Sequence, residues 1–471
     1  MMEQYDLIVI GAGPGGYVAA IRASQLGMKV AVVEKRVTLG GVCLNEGCIP
    51  SKALLDSSEQ FALARDKFAR HGIDIEPPRL NLSIMLARKD EVVKRLTDGV
   101  AYLFKKNKVT LLNGSASLHG ATSEGLQQVA IISADNPAQL IAAQRVLLAT
   151  GSETVTLPAI PFDGDLVVSA KEALCFDQVP EHLVVVGGGF IGLELGSIWR
   201  RLGARVTVLE MLPTLLPSMD RQAADALQRA LKKQGIEFRL GARVTALQRQ
   251  EDTVNVQFMA GEERGELECD RLLVSAGRRP ALAGLGFDLL GGRLSENGRV
   301  AVDADYQTSI SGIYAVGDLI DGPMLAHKAS EEGVACVERM AGKATVVEYG
   351  CLPGVVYTWP EGASVGKTEE QLKEAALPYK VGKFNFLGNG RARAMDETEG
   401  FVKVLAHAES DQLLGVHIVG PRASDMIAEA VTAIRCGSSA HALGMQFHAH
   451  PTLSEAMKEA ALDAHSEALH V

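Results

Sequence analysis

Cys43 and Cys48 are two thiols five positions apart, inside Gly40-Gly41-Val42-Cys43-Leu44-Asn45-Glu46-Gly47-Cys48-Ile49-Pro50-Ser51-Lys52. Thiols so spaced could form and break a disulfide reversibly. Leu54 and Leu55 carry the stretch into a helical pattern. Five residues of regular helix rise about 7.5 Å, whereas a disulfide needs its Cα atoms within about 7 Å. The pair can therefore bond only if the first turn is distorted, and such a bond would suit a reducible redox centre better than a structural staple. The alternative is two buried thiols on a helix. A zinc site pairs cysteines two to four residues apart, and no second pair of that kind follows.

A second candidate lies near the C-terminal end, in Phe447-His448-Ala449-His450-Pro451-Thr452-Leu453-Ser454-Glu455. His450 ahead of Glu455 with Pro451 between them suits a positioned acid–base pair. The same pattern suits a helix start with Thr452 or Ser454 as N-cap. His448 and His450 could chelate a metal, but no third ligand is evident.

Two repeated elements position these groups. Tyr5–Ile10 has the continuous apolar character of a buried parallel strand. It runs into Gly11-Ala12-Gly13-Pro14-Gly15-Gly16, a helical pattern to Leu26, a strand from Lys29 to Val33, and Glu34. That order is the full context of a dinucleotide fold. Gly11 makes the tight turn, Gly13 admits the pyrophosphate and Gly16 lets the helix pack on the strand, while Glu34 takes the ribose hydroxyls. The helix N-terminus faces the phosphates. From about Pro158 the pattern recurs: strand Leu183–Val186, Gly187-Gly188-Gly189-Phe190-Ile191-Gly192, helix, strand Arg205–Leu209, Glu210. Gly187 stands as far from Glu210 as Gly11 does from Glu34, so the chain carries an internal repeat and binds two dinucleotides. Glu210 repels a 2′-phosphate and accepts from a free 2′-OH, and Met211 and Leu212 bring no arginine, so the second site prefers NAD over NADP.

Between and after these units, helical patterns span about 51–71 and 82–105, separated at Pro77-Pro78; they are expected to form a hairpin over the first dinucleotide fold. Turns are expected at Asn113-Gly114 and Asp135-Asn136-Pro137, and a strand at Arg145–Ala149 ending in Thr150-Gly151-Ser152. Further strands are expected at Asp270–Ser275 and ahead of Gly317-Asp318, and Met324–Ala329 opens a helix. From about Val346, strands alternate with turns at Pro360-Glu361-Gly362, Gly388-Asn389-Gly390 and Ser410-Asp411, followed by helices at about 424–435 and 454–464, an antiparallel α+β pattern.

Composition bounds the rest. A chain of 471 residues, 47% hydrophobic and 22% charged, is too long for one core, so three or four domains are expected. The net charge of −10 and the absence of a basic cluster exclude nucleic acid as partner, and Lys105-Lys106-Asn107-Lys108 is a solvated helix end. Seven cysteines do not make a disulfide scaffold; Cys175, Cys269, Cys336, Cys351 and Cys436 are expected to be reduced, as in a cytoplasmic protein. No charged leader precedes the strand pattern at Tyr5, and no apolar run reaches the length of a membrane span.

Taken together and in order, these motifs resemble those of the dihydrolipoamide dehydrogenases, the lipoamide-reoxidising members of the pyridine nucleotide-disulfide oxidoreductases. The resemblance covers essentially the whole chain. It implies an α/β fold of two Rossmann-like dinucleotide-binding domains and a C-terminal α+β dimerisation domain: an FAD domain at 1–155, an NAD domain at 156–276, a central segment returning to the FAD domain at 277–345, and an interface domain at 346–471. It implies FAD against Gly11, Gly13, Gly15, Gly16, Glu34, Lys35, Gly41, Val42, Cys43, Lys52, Ala116, Thr150, Gly151, Ser152, Asp318, Met324, Leu325, Ala326 and His327. NAD lies against Gly187, Gly189, Gly192, Glu194, Glu210, Val244 and Gly277. Cys48 resembles the thiol that faces the flavin and Cys43 the one that exchanges with substrate. His450 resembles the base, oriented by Glu455 and supplied by a partner subunit. Lys52 and Glu194 resemble an ion pair beside the flavin. The implied partners are a second copy of the chain and the lipoyl domains of a 2-oxoacid dehydrogenase complex or a related lipoyl carrier protein.

Several positions depart from the family's habit. Val42 and Glu46 replace Thr and Val, and Trp359, Gly362 and Ser364 alter a Thr-His-Pro-Glu-Ile-Ala-Trp type segment. Glu46 places a carboxylate beside the two cysteines. Sister enzymes on the same fold fit less well: Glu210 disfavours NADP, no vicinal cysteine pair closes the chain as in mercuric-ion reductases, and no basic cluster near the disulfide suits glutathione. A flavoprotein sensor without turnover would not need Cys43, Cys48, His450 and Glu455 together.

Overall fold

The structure, a computed structural model, describes residues 2–133 and 137–470. The Asp135-Asn136 part of one expected turn lies outside the described residues. The chain divides into two compact units: Met1–Ala53, Ile84–Val155 and Gly277–Val347 form one, and Leu54–Ser83, Thr156–Ala276 and Glu348–Val471 the other.

The first unit is built on a sheet whose order, among the described residues, is Thr110–Asn113, Val30–Glu34, Glu3–Ile10, Gln139–Leu148, Gln127–Ile132 and Ser115–Ala121, with Ile313–Ala315 also paired to Gln139–Leu148. The central strands are parallel, in the register Ile10↔Val33 and Ile10↔Leu148. Leu7, Ile8 and Val9 are wholly buried, which is why their strand is a continuous apolar run rather than an alternating one. Helices Pro14–Gln25 and Ala326–Met340 pack together. A Cβ at Gly333 would stand 2.5 Å from the Gly15 carbonyl oxygen, so the close crossing needs glycine there.

The second unit holds a parallel sheet in the order Ile236–Leu240, Arg205–Glu210, His182–Val186, Arg271–Val274 and Val167–Val168. A three-stranded antiparallel sheet, Ala242–Arg249, Val254–Ala260 and Glu263–Cys269, adjoins it. The remaining sheet is antiparallel, in the order Gly354–Val356, Glu361–Gly366, Leu413–Gly420, Phe401–His407 and Tyr379–Asn385. Helices Ala423–Arg435 and Glu455–Asp463 cover it over a core of Val365, Phe384, Val404, Ile418, Ile427 and Met457.

Two expectations change, both at turn signals. The helices Cys48–Asp66 and Leu82–Lys106 are present, and residues from Leu54 to Ser83 cluster with the second unit. Arginine–carbonyl bonds hold that stretch there: Arg201 Nη1 donates to the Leu55 oxygen at 3.2 Å and Arg65 Nη1 to the Arg201 oxygen at 3.0 Å. Glu361 and Gly362 open a strand rather than a turn. A Cβ on Gly362 would meet Leu227 at 2.6 Å, so this glycine permits close packing instead of a bend. Asn389 caps the helix Gly390–Met395, its Oδ1 accepting from the Ala392 amide at 2.9 Å, so the Gly388-Asn389-Gly390 signal is a helix start.

A buried ionic triad in the second unit ties the strand Phe401–His407 to the starts of the helices Arg221–Lys233 and Glu369–Glu374. Lys403, wholly buried, donates to Asp220 Oδ2 at 2.8 Å and to Glu369 Oε2 at 2.6 Å. Burial alone would raise the Glu369 carboxyl, but bonds from Lys373, Lys403 and Tyr379 outweigh it and hold the pKa down to about 2 from an ordinary 4.5. A carboxyl depressed on folding stabilises the protein above its unfolded value and loses that contribution as pH falls through the folded one. Glu369→Gln is therefore expected to lower stability by about 1.5–3 kcal/mol near neutrality. The gap between variant and wild type should narrow as pH falls from 4.5 to about 2 in denaturant titrations; a gap that widens would contradict the assignment.

Candidate functional site

Cys43 and Cys48 are joined by a disulfide with Cα atoms 4.8 Å apart. The distortion takes the form of a break between two helices, Gly41–Glu46 and Cys48–Asp66, with Gly47 at φ −136° and ψ −112° between them. The break folds the second thiol back over the first. Gly47 is close-packed, since a Cβ there would lie 3.1 Å from the Val42 oxygen. Asn45 braces the first helix by donating to the Leu39 and Gly41 oxygens at 3.0 and 2.8 Å. Both cysteines are half-buried. Lys52 stands four residues after Cys48, on the same face of its helix.

The first glycine turn lies in the same unit. Gly11 adopts φ +100°, and a Cβ on it would stand 2.4 Å from the Ala149 oxygen; one on Gly16 would stand 1.9 Å from the Gly11 oxygen. At Gly13 the space is open, with only the Gly41 Cα within reach at 3.9 Å. No side chain caps the helix Pro14–Gln25, so its N-terminal amides are left for an anion. Glu34, buried, accepts from the Ala12 amide at 2.7 Å and from the Arg36 amide at 2.9 Å. Each carboxylate oxygen keeps acceptor capacity for a ribose hydroxyl. These residues fit the diphosphate and ribose of a dinucleotide.

The same geometry recurs in the second unit. Gly187 has φ +110°, a Cβ at Gly192 would stand 2.2 Å from the Gly187 oxygen, and nothing lies within 4 Å of a Cβ on Gly189. The helix Phe190–Leu202 also has no side-chain cap. Glu210 accepts from the Gly188 amide at 2.6 Å and the Leu212 amide at 2.7 Å, the counterpart of Glu34. Glu194, one turn into the helix and buried, accepts from the Tyr357 amide at 3.1 Å. Val244 sits at a register shift in its strand.

Two of the remaining flavin candidates of the first unit, Ser152 and Asp318, are bonded to each other. Ser152 Oγ donates to Asp318 Oδ2 at 2.5 Å, and Thr150 donates to the Ala281 oxygen at 2.7 Å. Asp318 lies on the short turn Gly317–Leu319, with Ala116 on the strand Ser115–Ala121. Met324 and Leu325 precede the helix that Ala326 and His327 begin. Gly151 and Gly277, the latter expected at NAD but clustered with the first unit, have φ +72° and +126°, and nothing lies within 4 Å of a Cβ placed at either position.

Three contributors were not singled out from sequence. Arg278 donates from Nε to Ser152 Oγ at 2.8 Å and from Nη2 to the Ser152 oxygen at 2.7 Å. Burial pulls its pKa down while Asp318 pulls it back. Lys328 and Glu332, both wholly buried, pair at 2.9 Å and hold the Gly317 peptide from both sides. Arg36 forks onto Glu46 with two 2.8 Å bonds. Only an i, i+4 spacing of opposite charges foreshadowed the Lys328–Glu332 pair.

In the second unit, His450 Nδ1 meets Glu455 Oε1 at 2.8 Å, and the other carboxylate oxygen accepts from the Thr452 amide at 2.8 Å. Ser454 takes the N-cap position without a capping bond. The segment is thus both a helix start and a carboxylate-held imidazole, with Glu455 also bonding the Thr452 amide just ahead of the helix. Burial would raise the Glu455 carboxyl, but the Thr452 amide and His450 bring it below its usual value. His450 is 79% exposed at its side chain. His448 instead bonds Glu429 at 2.7 Å, and this bond raises its pKa. Among the described residues no group of three acidic, cysteine or histidine side chains could hold a metal.

A disulfide beside one dinucleotide turn, with a second dinucleotide fold in the same chain, defines a disulfide oxidoreductase that works with nucleotide cofactors. Residues 5–333 match the pyridine nucleotide-disulphide oxidoreductase family and residues 352–461 its dimerisation domain. The chain belongs to this family. It is 50% identical over 473 residues to dihydrolipoyl dehydrogenase 3 of Pseudomonas aeruginosa, covering 100% of both chains. It is 45% identical to the mitochondrial dihydrolipoyl dehydrogenase of Pisum sativum, over 100% of this chain and 93% of that protein. The crystal structure of LpdA from Mycobacterium tuberculosis superposes with a TM-score of 0.89 at 25% identity, over 98% of this chain and 99% of that one.

The open space at Gly189 separates folding from cofactor binding. Gly189→Val puts its Cβ where nothing lies within 4 Å, at φ −84° that any residue adopts. The melting temperature should stay within about 2 °C of wild type, while KM for NAD+ rises at least about tenfold, roughly 1.4 kcal/mol. Unchanged NAD+ kinetics would remove this turn from the cofactor site.

Proposed function

We propose that this chain is a dihydrolipoyl dehydrogenase: it oxidises protein-bound dihydrolipoamide to lipoamide and reduces NAD+ to NADH. The observation that carries this function is the half-buried Cys43–Cys48 disulfide in one unit with a dinucleotide turn. Relatives of 45–50% identity that bear this name over the whole chain support it.

The protein's own groups account for the thiol chemistry. Glu455 fixes His450 with its proton on Nδ1, which leaves Nε2 to accept one. His450 takes the proton of a lipoyl thiol, because the thiolate is the nucleophile. That thiolate attacks the Cys43 sulfur, the Cys43–Cys48 bond breaks, and Cys48 leaves as thiolate. The second lipoyl thiol attacks the mixed disulfide, closes the lipoamide ring and releases Cys43. Two electrons and two protons have then moved from dihydrolipoamide to the protein. Gly11–Gly16, Glu34 and Asp318 would hold FAD, and Gly187–Gly192 and Glu210 would hold NAD+; when bound, these groups would supply the two-electron redox chemistry that links the dithiol to NADH. Glu210, already an acceptor of two amides, suits a free 2′-OH rather than a phosphate.

The match of residues 352–461 to a dimerisation domain supports a homodimer, and the exposed His450 supports a base that serves the partner's disulfide. The chemistry calls for lipoyl domains of a 2-oxoacid dehydrogenase complex, or a related lipoyl carrier, as protein partners. We assign 1–155 and 277–345 to FAD, 156–276 to NAD and 346–471 to the dimer. No helix among the described residues is long and apolar enough to cross a membrane. The scattered spacing of the other cysteines in the sequence supports a cytoplasmic location.

Cys43→Ser should keep its flavin and lose dihydrolipoamide turnover; wild-type turnover in the variant would place the redox centre elsewhere. His450→Ala should lower kcat roughly a hundred- to ten-thousand-fold, the usual contribution of a positioned base. Hybrid dimers of the two variants would have one doubly defective site and one intact site, so purified hybrids should recover up to half of wild-type activity. Hybrids as inactive as their parents would show that base and disulfide belong to one chain.

A further inference from the structure

Glu46 ends the helix Gly41–Glu46, three residues after Cys43 and two before Cys48. Helical residues three apart share a face, with Cβ atoms about 5–6 Å apart. Glu46 therefore leaves the backbone within one turn of the disulfide, on the face that carries Cys43. Arg36 meets it through a two-pronged bond, Nη1 to Oε1 and Nη2 to Oε2, each 2.8 Å. The side chains are 29% and 21% exposed, so solvent does not fully screen them. The Arg36 amide is itself anchored on Glu34 at 2.9 Å, which fixes where the guanidinium starts. Arg278 also feels the Glu46 charge.

We propose that Arg36 and Glu46 form a charge-balanced pair that sets the reduction potential of the Cys43–Cys48 disulfide, with Arg36 as a positioning residue that neutralises the carboxylate beside the sulfurs. The proposal rests on Cys43–Cys48 being the redox centre. Reduction breaks the S–S bond, adds two electrons and leaves two sulfurs that share up to two protons, so the reduced state carries thiolate character. A nearby negative charge disfavours that state and a positive charge favours it. With both present the effects offset. Removing Arg36 leaves the carboxylate unopposed and makes the disulfide harder to reduce. Removing Glu46 leaves the guanidinium unopposed and makes it easier.

The test is redox equilibration of the flavin-loaded enzyme in buffers of reduced and oxidised dithiothreitol, whose two thiols close into a cyclic disulfide as the protein's opens. Acid quenching and thiol alkylation then count Cys43 and Cys48 in the reduced form. At a fixed buffer ratio, Arg36→Gln should lower the dithiol-to-disulfide ratio about three- to tenfold, and Glu46→Gln should raise it by a similar factor. For a two-electron couple these factors are shifts of about 15–30 mV in opposite directions. The double variant should return to within about twofold of wild type. A clip that merely braced the loop would move both single variants the same way. Shifts of one sign, no shift in either, or a double variant as displaced as Arg36→Gln would each overturn the proposal. Should Arg36→Gln lose its flavin, Arg36→Lys and Glu46→Gln decide: the lysine variant must stay within about twofold of wild type and the glutamine variant must still rise. The equilibrium needs no lipoamide turnover, so its outcome is separate from the activity loss expected of Cys43→Ser.

Discussion

The Cys43–Cys48 bond depends on a helix that stops and restarts at Gly47. An unbroken helix would hold the two Cα atoms too far apart to bond; the break brings them to 4.8 Å. Much of the surrounding structure maintains that break. Asn45 ties the short helix to the Leu39 and Gly41 oxygens, and a Cβ on Gly41 would lie 2.6 Å from the Gly13 Cα of the dinucleotide turn. The redox segment and the cofactor turn are thus packed against each other at Gly41, where a side chain would separate them.

The two dinucleotide folds share a second device. In each, a glutamate at the end of the second strand accepts from the amide that follows the first glycine and from an amide two residues beyond itself. The carboxylate therefore builds the phosphate turn before it meets a ribose. This explains why the glutamate stands at one fixed distance from the glycines in both halves. Its backbone bonds fix the loop that would otherwise have to order on binding, a cost that preorganisation removes.

What was legible in the sequence was whatever depends on local pattern. The buried strands, both glycine turns, Glu34, Glu210 and the two thiols follow from apolar runs, backbone geometry and spacing. The His450–Glu455 pair could be seen but not separated from a helix cap, and in the structure Glu455 serves both ends at once. The misread positions are those where distant chain decides. Gly362 has the appearance of a turn residue, yet it is a strand position pressed against Leu227. The helix from Cys48 is continuous in pattern, but carbonyl bonds to Arg201 and from Arg65 draw its second half into another unit. Arg36 and Arg278 showed no signal, because an arginine on a loop or in a three-residue strand has no period and its partner is set by the fold.

The central claim is that electrons pass from a dithiol substrate through Cys43 and Cys48 to NAD+. The most direct measurement is NADH formation from dihydrolipoamide and NAD+ by the flavin-loaded enzyme, before and after alkylation of the thiols exposed by prior reduction. Sustained NADH formation is expected from the untreated enzyme, and its loss once Cys43 and Cys48 are alkylated. No NADH from dihydrolipoamide, or formation undiminished with both cysteines blocked, would contradict it.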